Sequence, residues 1–87
     1  MSFYRQIEVF RTVMTSSSLS AASGRLLISQ PAITKQLKNL EDYVGTKLFL
    51  REGHRLQPTE HARRLLAQSE SVMEGMQNLD RFARSLE

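Results

Sequence analysis

The chain has 87 residues, no cysteine and a formal net charge of +3. That length allows one small domain with a marginal core, and without cysteine neither a disulfide nor a thiolate metal site can reinforce it. The charge is uneven. Residues 1–58 hold eight Lys/Arg against four Asp/Glu, and residues 59–87 hold four against five, the balance of a polyanion-binding unit joined to an association element.

The first predicted element runs from roughly Tyr4 to Met14. Phe3, Ile7, Phe10 and Met14, with Val13 beside them, make one apolar face at four-three-four spacing. Thr15-Ser16-Ser17-Ser18 ends this helix, because short hydroxyl side chains compete for backbone hydrogen bonds, and Ser18 is placed to cap the next. The second helix, about Leu19 to Leu26, turns Leu19, Ala22 and Leu26 inward. Gly24 costs it about 1 kcal/mol relative to alanine, so tertiary packing has to hold it. Leu27-Ile28 form the turn, Ser29 caps a third helix, and Pro31 falls in the first turn, where a missing N–H is harmless. Gly45 ends that helix in the left-handed region.

The third helix has two unlike faces. Ile33, Leu37, Leu40 and Val44 form an apolar stripe, while Gln30, Thr34, Lys35 and Lys38 lie off it with amide, hydroxyl and ammonium groups. A helix that docks by one face and offers such groups on the other suits the DNA major groove, although a solvated amphipathic helix has the same pattern. Two short helices joined by a tight turn, the second with a polar outer face, form a helix-turn-helix.

Lys47 to Arg51 and Arg55 to Gln57 then flank Glu52-Gly53-His54, which predicts a small hairpin with a three-residue loop, ended by Pro58. Such a hairpin is a wing, with Arg51 and Arg55 at its tip near phosphate or the minor groove. Thr59 caps a last helix running to Leu86. There Ala62, Leu65, Ser69, Val72, Met76, Leu79, Ala83 and Leu86 recur at alternating three- and four-residue steps, widened by Leu66, Met73 and Phe82. This is the seam of a coiled coil or helix pair. A helix about 42 Å long outreaches a 58-residue head, so a second chain is expected to cover Leu65, Val72, Met76, Leu79, Ala83 and Leu86.

These motifs together resemble the DNA-binding region of LysR-type transcriptional regulators over nearly the whole chain. The resemblance rests on Phe10, Ser18-Leu19-Ser20, Ala22, Leu26, Ile28 to Thr34, Gln36-Leu37, Leu40-Glu41, Gly45, Leu48-Phe49, Arg51, Thr59-Glu60 and Leu65-Leu66. Lys35 stands where arginine is frequent, Ser23 and Gly24 replace alanine and a helix former, and Pro58 and Ala62 replace leucine and glycine. The resemblance implies a mainly α fold. A winged helix-turn-helix over 1–58 (three-helix core plus β-hairpin) would precede a linker and dimerisation helix over 59–87. It implies groove-facing Gln30, Pro31, Thr34 and Lys35, a wing Arg51, and a larger inducer-binding domain outside this stretch.

The expected function is sequence-specific binding of operator or promoter double-stranded DNA by a bacterial homodimer that regulates transcription, with tetramers open to the full-length protein. Ser29, Gln30, Pro31, Thr34, Lys35, Lys38, Arg51 and Arg55 are the expected DNA contacts. Alternatively, the winged helix is a protein-interaction module. Random-duplex binding without steep salt dependence would reveal that case. An enzyme is not expected, because no nucleophile–base or carboxylate pair stands at usable spacing. His54 and His61 lack the partners of a metal site, and no cofactor is expected. With no membrane-length apolar run and no signal-peptide core, a cytoplasmic location on the nucleoid, without membrane contact, is expected.

Overall fold

The computed structural model describes residues 2–53 and 55–86. It contains α1 (Phe3–Met14), α2 (Leu19–Leu26), α3 (Gln30–Val44), β1 (Phe49–Glu52), β2 (Arg55–Pro58) and α4 (Glu60–Arg84). Caps account for the helix starts. The hydroxyls of Ser2, Ser18, Ser29 and Thr59 each accept the backbone N–H three residues on, so α1 begins one residue before Tyr4. At the end of α1, Thr15 donates to the Arg11 carbonyl (2.8 Å) and Ser16 to the Thr12 carbonyl (2.5 Å), the competition that ends a helix. Gly45 closes α3 with φ +81°, whereas α2 closes on Leu27 with φ +59°, a region costly for a residue with a Cβ.

The core is small and continuous. Val9 and Phe10 of α1, Ala22 of α2, Ile33, Leu37 and Leu40 of α3, Leu48, and Ala62 of α4 are buried. Leu19, Leu26, Phe49, Leu56, Leu65 and Leu66 pack around them. Phe10 and Phe49, whose ring centroids lie 5.9 Å apart, join the first helix to the wing. Two residues expected inside are not. Val44 is 37% exposed and Phe3 47% exposed, because α3 outruns the core. Phe3 instead packs at a tilt against Tyr43, centroids 5.3 Å apart.

The hairpin departs from the expected register. Glu52 pairs with Arg55 and Phe49 with Pro58, so Glu52 belongs to the strand, not to a three-residue loop, and Pro58 is the last strand residue. Gly53 turns with φ +62°. His54 lies outside the described residues. Lys47 and Leu48 are not strand residues, and the cause lies in their hydrogen bonds. The buried Leu48 gives its N–H to the Glu41 carboxylate (2.8 Å), and its carbonyl accepts from the Thr59 N–H (2.9 Å).

α4 is anchored at one end only. Ala62 and Ser69 are buried and Leu65 and Leu66 half-buried, whereas Val72, Met76, Leu79, Phe82 and Leu86 are exposed. The molecule is accordingly long, 51 × 25 × 23 Å. Among the described residues, no helix is long and apolar enough to cross a membrane.

Candidate nucleic-acid interface

α3 is held by Ile33, Leu37 and Leu40, and this leaves Gln30, Pro31, Thr34, Lys35 and Lys38 exposed on the other side. Its start is organised for an anion. The Ser29 hydroxyl accepts the Ala32 N–H (3.2 Å) and the Ser29 carbonyl the Ile33 N–H (3.0 Å). Pro31 has no N–H, so the Gln30 N–H is the free donor of the first turn among the described residues. Ser29 keeps its own hydroxyl proton to donate. Helix N-termini with such groups favour phosphate. Along the outer face the ion pair is Lys38 with Asp42, at 3.8 Å and solvent-exposed, too weak to withdraw the lysine from another partner. Asp42 marks where the cationic face stops.

The hairpin stands beside this face. Strand alternation puts Arg51 with Phe49, Leu56 and Pro58 on one side, and Arg55 with Leu50, Glu52 and Gln57 on the other. The two arginines therefore leave the ladder on opposite faces, although both reach the larger of two grooves beside it. Arg51 lines a groove of about 360 Å³ with Thr34, Lys38 and Lys47. It also lines a second groove of about 590 Å³, into which Gln30, Ser18, Ser20 and Arg55 open. Arg51 thus bridges the outer face of α3 and the wing.

Glu41 supports this placement. One carboxylate oxygen accepts both the Leu48 and Phe49 N–H groups (2.8 and 3.1 Å), and Lys47 lies 3.9 Å from the other. The acid binds α3 to the root of the wing. Neither Lys47 nor Glu41 is among the expected DNA contacts, and the part each plays here depends on the fold. The acid's partners are backbone groups, which carry no sequence signal. Ser23 also has a role that composition did not suggest. Its hydroxyl donates to the Ile28 carbonyl (2.5 Å) and braces the turn between α2 and α3.

Of the residues expected in a subunit seam, Leu65 is half-buried against its own head, while Val72, Met76, Leu79, Ala83 and Leu86 are exposed.

Three helices, a two-stranded wing after the second helix of the motif, and an exposed polar face on that helix define a winged helix-turn-helix. The comparisons narrow the class. The family model described as "Bacterial regulatory helix-turn-helix protein, lysR family" matches residues 4–63, and the chain belongs to that family as a LysR-type helix-turn-helix DNA-binding domain. It is 43% identical over 82 residues to the HTH-type transcriptional regulator AdmX of Serratia plymuthica. It is 38% identical over 82 residues to the regulatory protein NocR of Agrobacterium fabrum. Each alignment covers 94% of this chain and 27% of the relative, so the chain spans about a quarter of the length of the curated relatives it matches. Among solved structures, the CbnR DNA-binding domain in complex with DNA superposes with a TM-score of 0.82 at 28% identity, covering 98% of this chain and 97% of that one. The BenM DNA-binding domain bound to benA site 1 DNA has the same fold, with a TM-score of 0.85 at 21% identity and full coverage of both chains.

Proposed function

We propose that this chain binds specific duplex DNA as a homodimer and so serves a bacterial transcription regulator, with α3 in the major groove and the wing on the backbone or in the minor groove. The observation that carries the reading is the α3 outer face, exposed, free of carboxylates from Gln30 to Lys38, and flanked by Arg51. Gln30 presents paired donor and acceptor groups to an adenine edge, and Pro31 and the Thr34 methyl meet thymine methyls. Lys35 reaches a base or phosphate as a point charge. Ser29, Lys38 and Arg55 hold phosphates, which position the helix without reading sequence. Arg51 follows the wing into the minor groove.

The bare stripe of Val72, Met76, Leu79, Ala83 and Leu86 supports pairing of α4 between subunits, with tetramers reserved for a longer protein that also carries an inducer-binding domain. Residues 1–58 are assigned to DNA and 59–87 to association, in a cytoplasmic protein with no catalytic task. Selection of bound sequences from a random duplex pool tests this reading. A two-fold-related pair of half-sites is expected, with affinity falling steeply as salt rises. A pool that returns no sequence preference, or binding insensitive to salt, would defeat it and favour a protein-interaction module.

A further inference from the structure

α4 changes character at Ser69. Before it, Ala62, Leu65 and Leu66 are seated in the head. After it, Val72, Met76, Leu79 and Phe82 are exposed and only Met73 remains half-buried. Among the described residues, the last polar tie to the head lies at this boundary. Arg11, in the last turn of α1, donates through Nη1 to the Ser69 hydroxyl (2.6 Å) and to a Glu70 carboxylate oxygen (3.1 Å). The Ser69 hydroxyl in turn donates a hydrogen bond to the Leu66 carbonyl (2.7 Å). The Arg11 side chain is 19% exposed, and Ser69 is buried, unlike the residues on either side of it. A guanidinium holds two acceptors in fixed directions, so this contact defines an angle as well as a distance.

We infer that Arg11 is a positioning residue: its grip on Ser69 and Glu70 sets the direction in which α4 leaves the head, and thereby the half-site spacing that the dimer accepts. The inference rests on the dimeric DNA-binding reading given above. The lever is long. Arg84 lies fifteen residues beyond Ser69, about 22 Å along a helix, so a 10° tilt at the clamp moves that end by roughly 4 Å. This exceeds the rise of about 3.4 Å per base pair of duplex. Two arms joined at their far ends would compound the error, and recognition helices have to meet successive major-groove faces one helical turn or multiples of it apart. The tie does not touch the α3 outer face, so the reading of one half-site should not depend on it.

The test uses the 87-residue chain with Arg11→Gln, Ser69→Ala and both together. Ser69→Ala favours the helix and removes only the hydroxyl, so it guards against a variant that merely unfolds. Binding is measured to a single selected half-site and to paired half-sites whose spacer is varied one base pair at a time. For the wild type, one spacing should be preferred by about tenfold or more over one half a turn away, and for Arg11→Gln the preference should shrink to about threefold or less. Affinity for one half-site should stay within about twofold, since its phosphate and base contacts are untouched. Ser69→Ala should move in the same direction by less, and the double variant should not exceed Arg11→Gln.

A second readout needs no DNA. The chain lacks cysteine, so spin labels at Asn39→Cys and Arg84→Cys, diluted in unlabelled protein, report the angle between head and arm. Arg11→Gln should broaden that distance distribution. An unchanged distribution, or a broadened one with an unchanged spacing profile, would overturn the inference. A wild type that binds no specific duplex would instead remove the regulator reading and the spacing claim with it, leaving the label distances to judge the clamp alone.

Discussion

Replacing Glu41 with alanine removes the charged acceptor of two backbone N–H groups, those of Leu48 and Phe49, at 2.8 and 3.1 Å. Leu48 is 1% exposed, so its donor is cut off from bulk water when the carboxylate is lost. Hydrogen bonds to charged groups contribute about 1.5–3 kcal/mol each, and an orphaned buried donor costs about 1–3 kcal/mol. The Glu41 side chain is 13% exposed, so water can relieve part of the loss, and a total near 3 kcal/mol follows from the lower ends of those ranges. A chain of this size has about 4–13 kcal/mol to lose. At about 4–8 °C per kcal/mol, the midpoint of thermal unfolding should fall by roughly 12–24 °C. Urea unfolding followed by circular dichroism measures the same quantity. Glu41→Gln keeps an acceptor oxygen without the charge and should lose about half as much. Lys47→Ala should be almost silent, within about 0.5 kcal/mol, since the ammonium is itself largely in solvent and stands 3.9 Å from the acid. A Glu41→Ala protein within about 1 kcal/mol of wild type would refute the assignment of this carboxylate as the bond between α3 and the wing.

Other outcomes follow from the same geometry. Gln30→Ala should cost about 1–3 kcal/mol at one base pair of the selected site, whereas Lys38→Ala should weaken all duplexes alike and lower the salt slope by about 0.9. Competition titrations at several salt concentrations separate the two. Leu27→Asn should stabilise the chain by about 0.5–1 kcal/mol, because Leu27 holds φ +59° while 88% exposed and asparagine tolerates that region better. A lowered melting temperature would contradict this. Leu79→Asp places a charge in the exposed stripe of α4 and should give a monomer by sedimentation with an unchanged helical spectrum. A dimer of wild-type strength would exclude that stripe as the seam.

The second and third helices and the start of the fourth were legible because they carry local signals. Ser18, Ser29 and Thr59 do cap, and Gly45 does terminate. The hairpin was legible in outline but not in register. Its first strand starts two residues late, at Phe49 rather than Lys47, where the Leu48 N–H goes to the Glu41 carboxylate seven positions away and the Leu48 carbonyl accepts from Thr59 eleven positions away. Periodicity also showed that α4 has one apolar face, but not that its first turns are covered by the chain's own head. The alternation continues through Leu65 and Val72 alike, and burial depends on where the head ends. Arg11 and Ser69 stand 58 residues apart, and no short-range pattern could join them. The α3 outer face was readable in advance because a helix with one apolar stripe must show its other residues to something else. The separation of Arg51 from Arg55 follows from strand alternation once the register is known.

Thr59 joins the wing root to α4 through its N–H to the Leu48 carbonyl (2.9 Å) and its hydroxyl to the Lys47 and Leu48 carbonyls (2.9 and 3.3 Å), while Glu41 joins that same root to α3. The three elements therefore meet at one knot a few residues across. Torque applied at the distal end of α4 has no slack segment in which to dissipate before it reaches that knot. It arrives as a rotation of the whole head, so that wing and α3 turn together like the bit of a key.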